Sequence, residues 1–254
     1  MRRFLLWYLP LFAGLVAVLT FGYGLVSFVR GDTGTPVDLV SPRRATAAEA
    51  PRDVIAPLIL GDSLARGTGD ETGLGIGGRL VQELTRRHMK TKPAVNIAVN
   101  GARTPDLLQQ LDSANVRTLI GQSNAIVISI GGNDLWGGGT DWRSAPPKDP
   151  DAVMAGVLDR MEKILRIVRE ANPRGRVFLI GLYNPFAATP AGPTLTPLVN
   201  RWNGKLLERF GGDPNLTVVP TSDLFSHRDR LSLDHFHPGD EGYELIAERI
   251  AESL

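Results

Sequence analysis

The 254-residue chain contains no cysteine, which excludes disulfides, thiolate metal sites and a cysteine nucleophile together. Charge of one sign is also missing. Its 28 Lys and Arg balance 27 Asp and Glu for a net charge of +1, and the two signs are interspersed, so nothing favours nucleic acid. Histidine is scarce, with His88, His227, His235 and His237 the full set. His235 and His237, with Asp234 and Asp240 nearby, lack the second pair of ligands that a closed zinc site needs. No internal repeat and no low-complexity segment occurs. Any nucleophile must therefore be an oxygen or nitrogen group, and neither a metal nor a cofactor is expected.

One long apolar run is present. From Phe4 to Val29 no residue is charged; Arg2 and Arg3 precede the run and Arg30 closes it. Such a length suits an uncleaved, single-pass membrane helix better than a signal peptide, whose apolar region is shorter. The two N-terminal arginines predict a cytoplasmic N-terminus with everything after Arg30 outside the cell membrane. The expected organisation is an anchor over 1–30, a flexible linker rich in Pro, Gly and Thr over 31–56, and one folded domain over 57–254.

Within that domain, short apolar runs alternate with amphipathic segments. Strands are expected at Leu58–Gly61, Ala94–Val99, Ala125–Ile130, Arg176–Leu182 and Leu216–Val219, each apolar enough to be covered on both faces. The clearest helix is Asp151–Ala171, with a stripe of Val153, Val157, Met161, Ile164, Leu165 and Val168, Asp149 as N-cap and Pro150 in the first turn. Further helices are expected over Leu74–Met89, Pro105–Ile120, Leu195–Phe210 and Gly239–Glu252. Alternation of this kind specifies a mostly parallel five-stranded sheet between helical layers, with ligands at the carboxyl ends of the strands.

Four separated blocks place polar residues at those ends: Gly61-Asp62-Ser63-Leu64, Asn96 to Gly101, Gly131-Gly132-Asn133-Asp134, and Asp234-His235-Phe236-His237-Pro238. Ser63 follows a strand directly, where an attacking hydroxyl faces the crevice; taken alone it reads sooner as a helix cap, and the other blocks reverse that balance. Asp234 is spaced to orient His237, which can then act as general base, with His235 as runner-up. The backbone amides of Ser63 and Gly101 and the side chain of Asn133 are candidate oxyanion donors. His88 reads as solvated surface. Gly73 to Gly78 satisfies the dinucleotide-binding fingerprint but lies about ten residues beyond its strand, so it does not mark a nucleotide site.

Across 57–254 the four blocks together resemble the SGNH (GDSL-like) hydrolase superfamily. The resemblance implies a flavodoxin-like three-layer α/β/α sandwich and a Ser63–His237–Asp234 triad. It also implies an oxyanion hole of Ser63, Gly101 and Asn133, and ester cleavage through an acyl-enzyme without a cofactor. Together with the N-terminal run, the segment Gly181 to Phe186 is similar to the membrane-anchored bacterial lipase/acylhydrolase (lysophospholipase-like) branch. Aromatic, Pro and Gly residues in Leu135–Trp142 and Tyr183–Pro197 suit the walls of an apolar pocket. The expected substrate is a lipid or short-acyl ester. Alternatives are an O-acetyl esterase acting on cell-envelope glycans and a non-catalytic tethered binding protein.

Overall fold

The computed structural model describes residues 2–29, 53–135, 149–226 and 228–254. Two units separate within the chain, Met1–Thr46 and Ala47–Leu254. In the first, α1 spans Arg2–Val29, and its described side chains, among them Leu11, Phe12, Leu15 and Phe21, are exposed. Among the described residues no helix is long and apolar enough to cross a membrane, so the expected single-pass span lacks support here.

In the second unit, a two-residue strand β1 (Val54–Ile55) pairs in parallel with β3 (Lys90–Thr91). The main sheet holds β2 (Pro57–Gly61), β4 (Val95–Asn96), β5 (Ala125–Ser129), β6 (Arg176–Ile180) and β7 (Leu216–Val219), in the order β4-β2-β5-β6-β7 and wholly parallel. Counted along the main sheet this is 2-1-3-4-5, the flavodoxin-like order, whose switch point lies between β2 and β5.

Side chains alternate across the sheet as the period of two requires. Leu58, Leu60, Ile126, Ile128, Val177 and Leu179 pack against one helical layer: α4 (Thr104–Leu111), α5 (Ala114–Gly121), α7 (Pro150–Ala171) and α8 (Gly192–Phe210). Ile59, Val127, Phe178 and Ile180 pack against α2 (Ser63–Arg66), α3 (Gly75–Arg86) and α9 (Asp240–Ala251) on the other face. Asp149 caps α7 as anticipated, accepting the Ala152 N–H at 3.0 Å.

Three expected elements come out differently. The single helix over Pro105–Ile120 is two, because Ser113 is extended; Arg117 Nε takes the Leu111 carbonyl at 3.0 Å, and the break turns both Leu111 and Ile120 into the core. The strand over Ala94–Val99 is regular only at Val95–Asn96, since the Asn96 side chain accepts from Ala98 N–H and donates to Ala65 C=O. Its pairing nonetheless continues through Ile97 N–H to Ile59 C=O and Val99 N–H to Gly61 C=O. The helix over Leu74–Met89 stops at Arg86, and His88, exposed at φ +59°, lies beyond its end.

Candidate active site

Strand β2 is buried throughout and ends at Gly61, with φ +128°. A Cβ there would lie 1.7 Å from the Ser129 carbonyl oxygen of β5, so only glycine lets the two strand ends approach this closely. The chain then turns at once: Asp62 N–H donates to the same carbonyl at 2.9 Å, and the Asp62 carboxylate caps α2 by accepting the Leu64 N–H at 3.1 Å. Ser63 is thereby the first residue of a one-turn helix closed by Gly67 at φ +95°. Its side chain stands at the carboxyl end of the sheet beside the switch point.

Asp62 is a buried carboxyl behind that serine. Desolvation pushes its pKa up to about 7, against the lowering effect of hydrogen bonds from the Ser129 hydroxyl and the Ala65 and Leu64 amides. Between roughly pH 4 and 7 the folded chain thus holds a proton that the unfolded chain has lost, and stability falls as pH rises through that window. Asp62→Asn, which keeps an oxygen for Ser129 and Leu64, is expected to remove this slope. Denaturant titrations at pH 5 and pH 8 should show the variant losing less stability than wild type, by on the order of a few kcal/mol. Parallel losses would show that Asp62 is charged throughout.

His237 comes from the loop before α9, held by the Leu231–Pro238 bridge. Asp234 Oδ1 accepts from Ser232 Oγ at 2.7 Å, Phe236 N–H at 2.8 Å and His237 N–H at 2.9 Å, while Oδ2 lies 2.6 Å from His237 Nδ1. Burial would raise the Asp234 pKa, but the His237 ring, the Ser232 hydroxyl and the two amides outweigh it and hold it at about 2. A charged acceptor at Nδ1 fixes the proton there and leaves the Nε2 lone pair outward. That Nε2 is 2.8 Å from Ser63 Oγ. Tyr183, half-buried against Phe225, donates its hydroxyl to Phe236 C=O at 2.6 Å and so braces the residue before His237.

Ser63, Asp234 and His237, far apart in sequence, therefore form one hydrogen-bonded chain. Asn133 lines the same cleft of about 60 Å³, with Asp62, Ser129, Gly132, Leu182, Tyr183, Pro185 and Phe236 around it. It lies on α6 (Gly132–Leu135), and its Nδ2 donates to Ala102 C=O at 2.9 Å. Gly101, at φ +76°, immediately precedes Ala102 but does not itself line the cleft. His235 sits in the left-handed region at φ +56° and is exposed, with no bond to Ser63. The fingerprint-like glycines open α3, where Asp70 accepts the Gly75 N–H at 2.7 Å; the helix terminus is closed by the chain's own carboxylate.

Of the expected pocket walls, Tyr183 and Pro185 line the cleft, Gly192–Pro197 belong to α8, and 136–142 lie outside the described residues. A larger cavity of about 610 Å³, lined by residues such as His88, Lys90 and Arg176, lies at the amino ends of the strands, remote from Ser63. Asp62 and Tyr183 carry structural roles that sequence reasoning left unassigned. A carboxylate reads as surface, and only its position between a buried strand and Ser63 could have signalled burial.

A parallel α/β/α sandwich with a serine, histidine and aspartate in relay at its switch point defines a serine hydrolase of the flavodoxin-like type. Residues 59–245 match the GDSL-like lipase/acylhydrolase family, and the chain belongs to it; it is a serine ester hydrolase. It is 30% identical over 202 residues to the uncharacterized protein YpmR of Bacillus subtilis (strain 168), covering 77% of this chain and 79% of that protein. The spore germination lipase LipC of Bacillus licheniformis is 27% identical over 203 residues, covering 75% and 92% respectively. The lipase Lip_vut3 from a goat rumen metagenome shares the fold at a TM-score of 0.62 and 22% identity, over 78% of this chain and 97% of that one.

Proposed function

We propose that Ser63 is the nucleophile of a carboxylic-ester hydrolase, His237 its general base and Asp234 the group that orients and stabilises the imidazole. The observation that carries this is the unbroken relay Ser63 Oγ to His237 Nε2 at 2.8 Å and His237 Nδ1 to Asp234 Oδ2 at 2.6 Å. Ser63 Oγ attacks the ester carbonyl while Nε2 takes its proton, and the negative oxygen is met by the Ser63 and Gly101 N–H groups and the second N–H of Asn133. Collapse expels the alcohol, which leaves with the proton from His237. Water, deprotonated by His237, then attacks the acyl-enzyme and releases the carboxylic acid. A non-catalytic tethered binding protein would have no use for this relay.

Leu182, Pro185 and Phe236 give the cleft an apolar wall suited to an acyl group, as in a lipid or short-acyl ester. The small volume of that cleft favours a second reading, removal of O-acetyl groups from cell-envelope glycans. The uncharged run Phe4–Val29, on a helix exposing Phe12, Leu15 and Phe21, supports a membrane location, an anchor in the bacterial lipase/acylhydrolase manner with the domain over 57–254 outside. Carbonate extraction of the full chain, against the chain from Pro51 onward, tests it; release of both into the supernatant would refute the anchor.

The ester reading is tested with p-nitrophenyl esters of two to sixteen carbons, together with an aryl phosphonate whose adduct is mapped by mass spectrometry. Phosphonylation confined to the Ser63 peptide and turnover of at least one ester are expected. Labelling elsewhere with no turnover would refute the assignment. Turnover of acetyl esters alone moves the substrate to glycan acetate, and a maximum at longer chains to lipid.

A further inference from the structure

The residue after Asn133 does something its neighbours do not explain. Asp134 has a side chain only 5% exposed, and it turns away from the cleft lining towards the start of α4. Its Oδ2 accepts the Thr104 backbone N–H at 2.9 Å and its Oδ1 the Thr104 hydroxyl at 2.6 Å. Thr104 is fully buried and is the first residue of α4, and the helix's own Asp106 accepts the Arg103 N–H at 2.8 Å. A helix start leaves N–H groups without intrahelical partners, and a carboxylate there is favoured by both hydrogen bonding and the helix dipole. Here the carboxylate that meets the Thr104 N–H is delivered from a different element, α6, thirty residues further along. Arg160 of α7 closes the arrangement, donating from Nη2 to Asp134 Oδ1 at 3.1 Å and from Nε to Thr104 Oγ1 at 2.6 Å.

The two elements joined are the two that carry the oxyanion donors other than Ser63. Gly101 lies three residues before Thr104, in the turn that leads into α4; Asn133 is adjacent to Asp134 on α6. Between them runs one further bond, Asn133 Nδ2 to Ala102 C=O at 2.9 Å. Donors aimed at a developing oxyanion act only when held to within about half an ångström of their productive geometry. Helix α6 has a single turn and the 101–103 turn is a loop, so neither is rigid by itself.

We propose that Asp134 is a positioning residue for ester hydrolysis. By capping α4 from α6, with Arg160 as its counter-ion, it fixes the Gly101 turn and the Asn133 amide in one frame. The proposal rests on the reading of Asn133 and Gly101 as oxyanion donors. Asp134 touches no substrate, so it acts on kcat through Asn133 and leaves KM nearly alone.

A double-mutant cycle on the full chain separates this from a role in stability. With a p-nitrophenyl ester that the wild type turns over, Asp134→Ala is expected to lower kcat about 10- to 100-fold with KM within about threefold, as a partial loss of an oxyanion donor. Asp134→Asn, which offers an N–H where an acceptor is needed, should fall between. In an Asn133→Ala background, adding Asp134→Ala should cost several-fold less than it does in the wild type, because one of the two groups it positions is already gone and only the Gly101 turn remains to be disturbed. Arg160→Gln, which removes the ion pair and the Arg160 bond to Thr104 but spares both Asp134–Thr104 bonds, serves as the stability control: its melting temperature falls while kcat drops no more than about fivefold. If Asp134→Ala does not fold, Thr104→Val removes one of the two bonds and takes its place in the cycle. Losses that multiply in the double variant, or that appear in KM alone, would overturn the proposal while leaving Asn133 as a donor. Wild-type kcat in Asn133→Ala would instead overturn the donor reading, and this proposal with it.

Discussion

Ser63→Ala is expected to lower kcat for ester hydrolysis by about 10⁴- to 10⁶-fold, and His237→Ala by a similar factor. Neither Ser63 Oγ nor His237 Nε2 does much separately: the hydroxyl is a poor nucleophile until a base takes its proton, and the imidazole has nothing else to activate in the acylation step. The double variant should therefore be scarcely slower than either single one, because the two act as a unit. Asp234→Asn should cost about 10⁴, since an amide at Nδ1 no longer dictates the tautomer that presents the Nε2 lone pair to Ser63. Stopped assays with a chromogenic ester, on protein whose folding is checked by circular dichroism, decide the matter. Multiplicative losses, or full activity without Ser63, would remove the relay from the mechanism.

The second large effect is on folding. Gly61→Ala should destabilise by more than about 4 kcal/mol, because the added Cβ would lie 1.7 Å from Ser129 O and 2.7 Å from its carbonyl carbon, and the backbone is at φ +128°. Neither atom is the tip of a flexible side chain that could swing aside; both belong to the neighbouring strand. To accept the methyl group, β2 and β5 must part at the point where Asp62 N–H meets the same carbonyl. For a domain of this size about 4 kcal/mol corresponds to a fall of roughly 8–16 °C in melting temperature. Gly204→Ala provides the contrast: a Cβ there meets nothing within 4 Å, and Gly204 is exposed within α8, so a gain of about 0.5–1 kcal/mol is expected. Thermal unfolding of the two variants side by side should move in opposite directions, and equal melting temperatures would refute the steric argument.

Much of the architecture was legible because its physics is local or periodic. The largely apolar strands β2, β5 and β6 and the amphipathic stripe and N-cap of α7 declare themselves in the chain, and their alternation leads directly to a parallel sandwich. What escaped depends on distant contacts. Strands β1 and β3 are two residues each, too short for any period, and exist because they pair with each other. The break at Ser113 is set by which side chains the sheet can receive, which no window of sequence encodes. At the site, the residues of the relay could be named from motif and spacing, whereas the supporting set could not. Asp62, Tyr183 and Asp134 are polar residues whose partners, Ser129, Phe236 and Thr104, lie 67, 53 and 30 positions away.

The hydroxyl and the imidazole of the relay are separated by 174 residues, and the imidazole lies in the loop that α9 closes. Helix α9 packs Tyr243, Ile246 and Ile250 into the same core as Ile76, Leu80 and Leu84 of α3, and the Tyr243 hydroxyl bonds to Thr68 C=O at 2.7 Å, five residues past Ser63. During synthesis, then, Ser63 emerges early, and on the proposed mechanism it stays chemically idle until nearly the whole domain has been made. With the roles proposed above, a chain interrupted anywhere before His237 carries a serine without a base and cannot attack the esters around it.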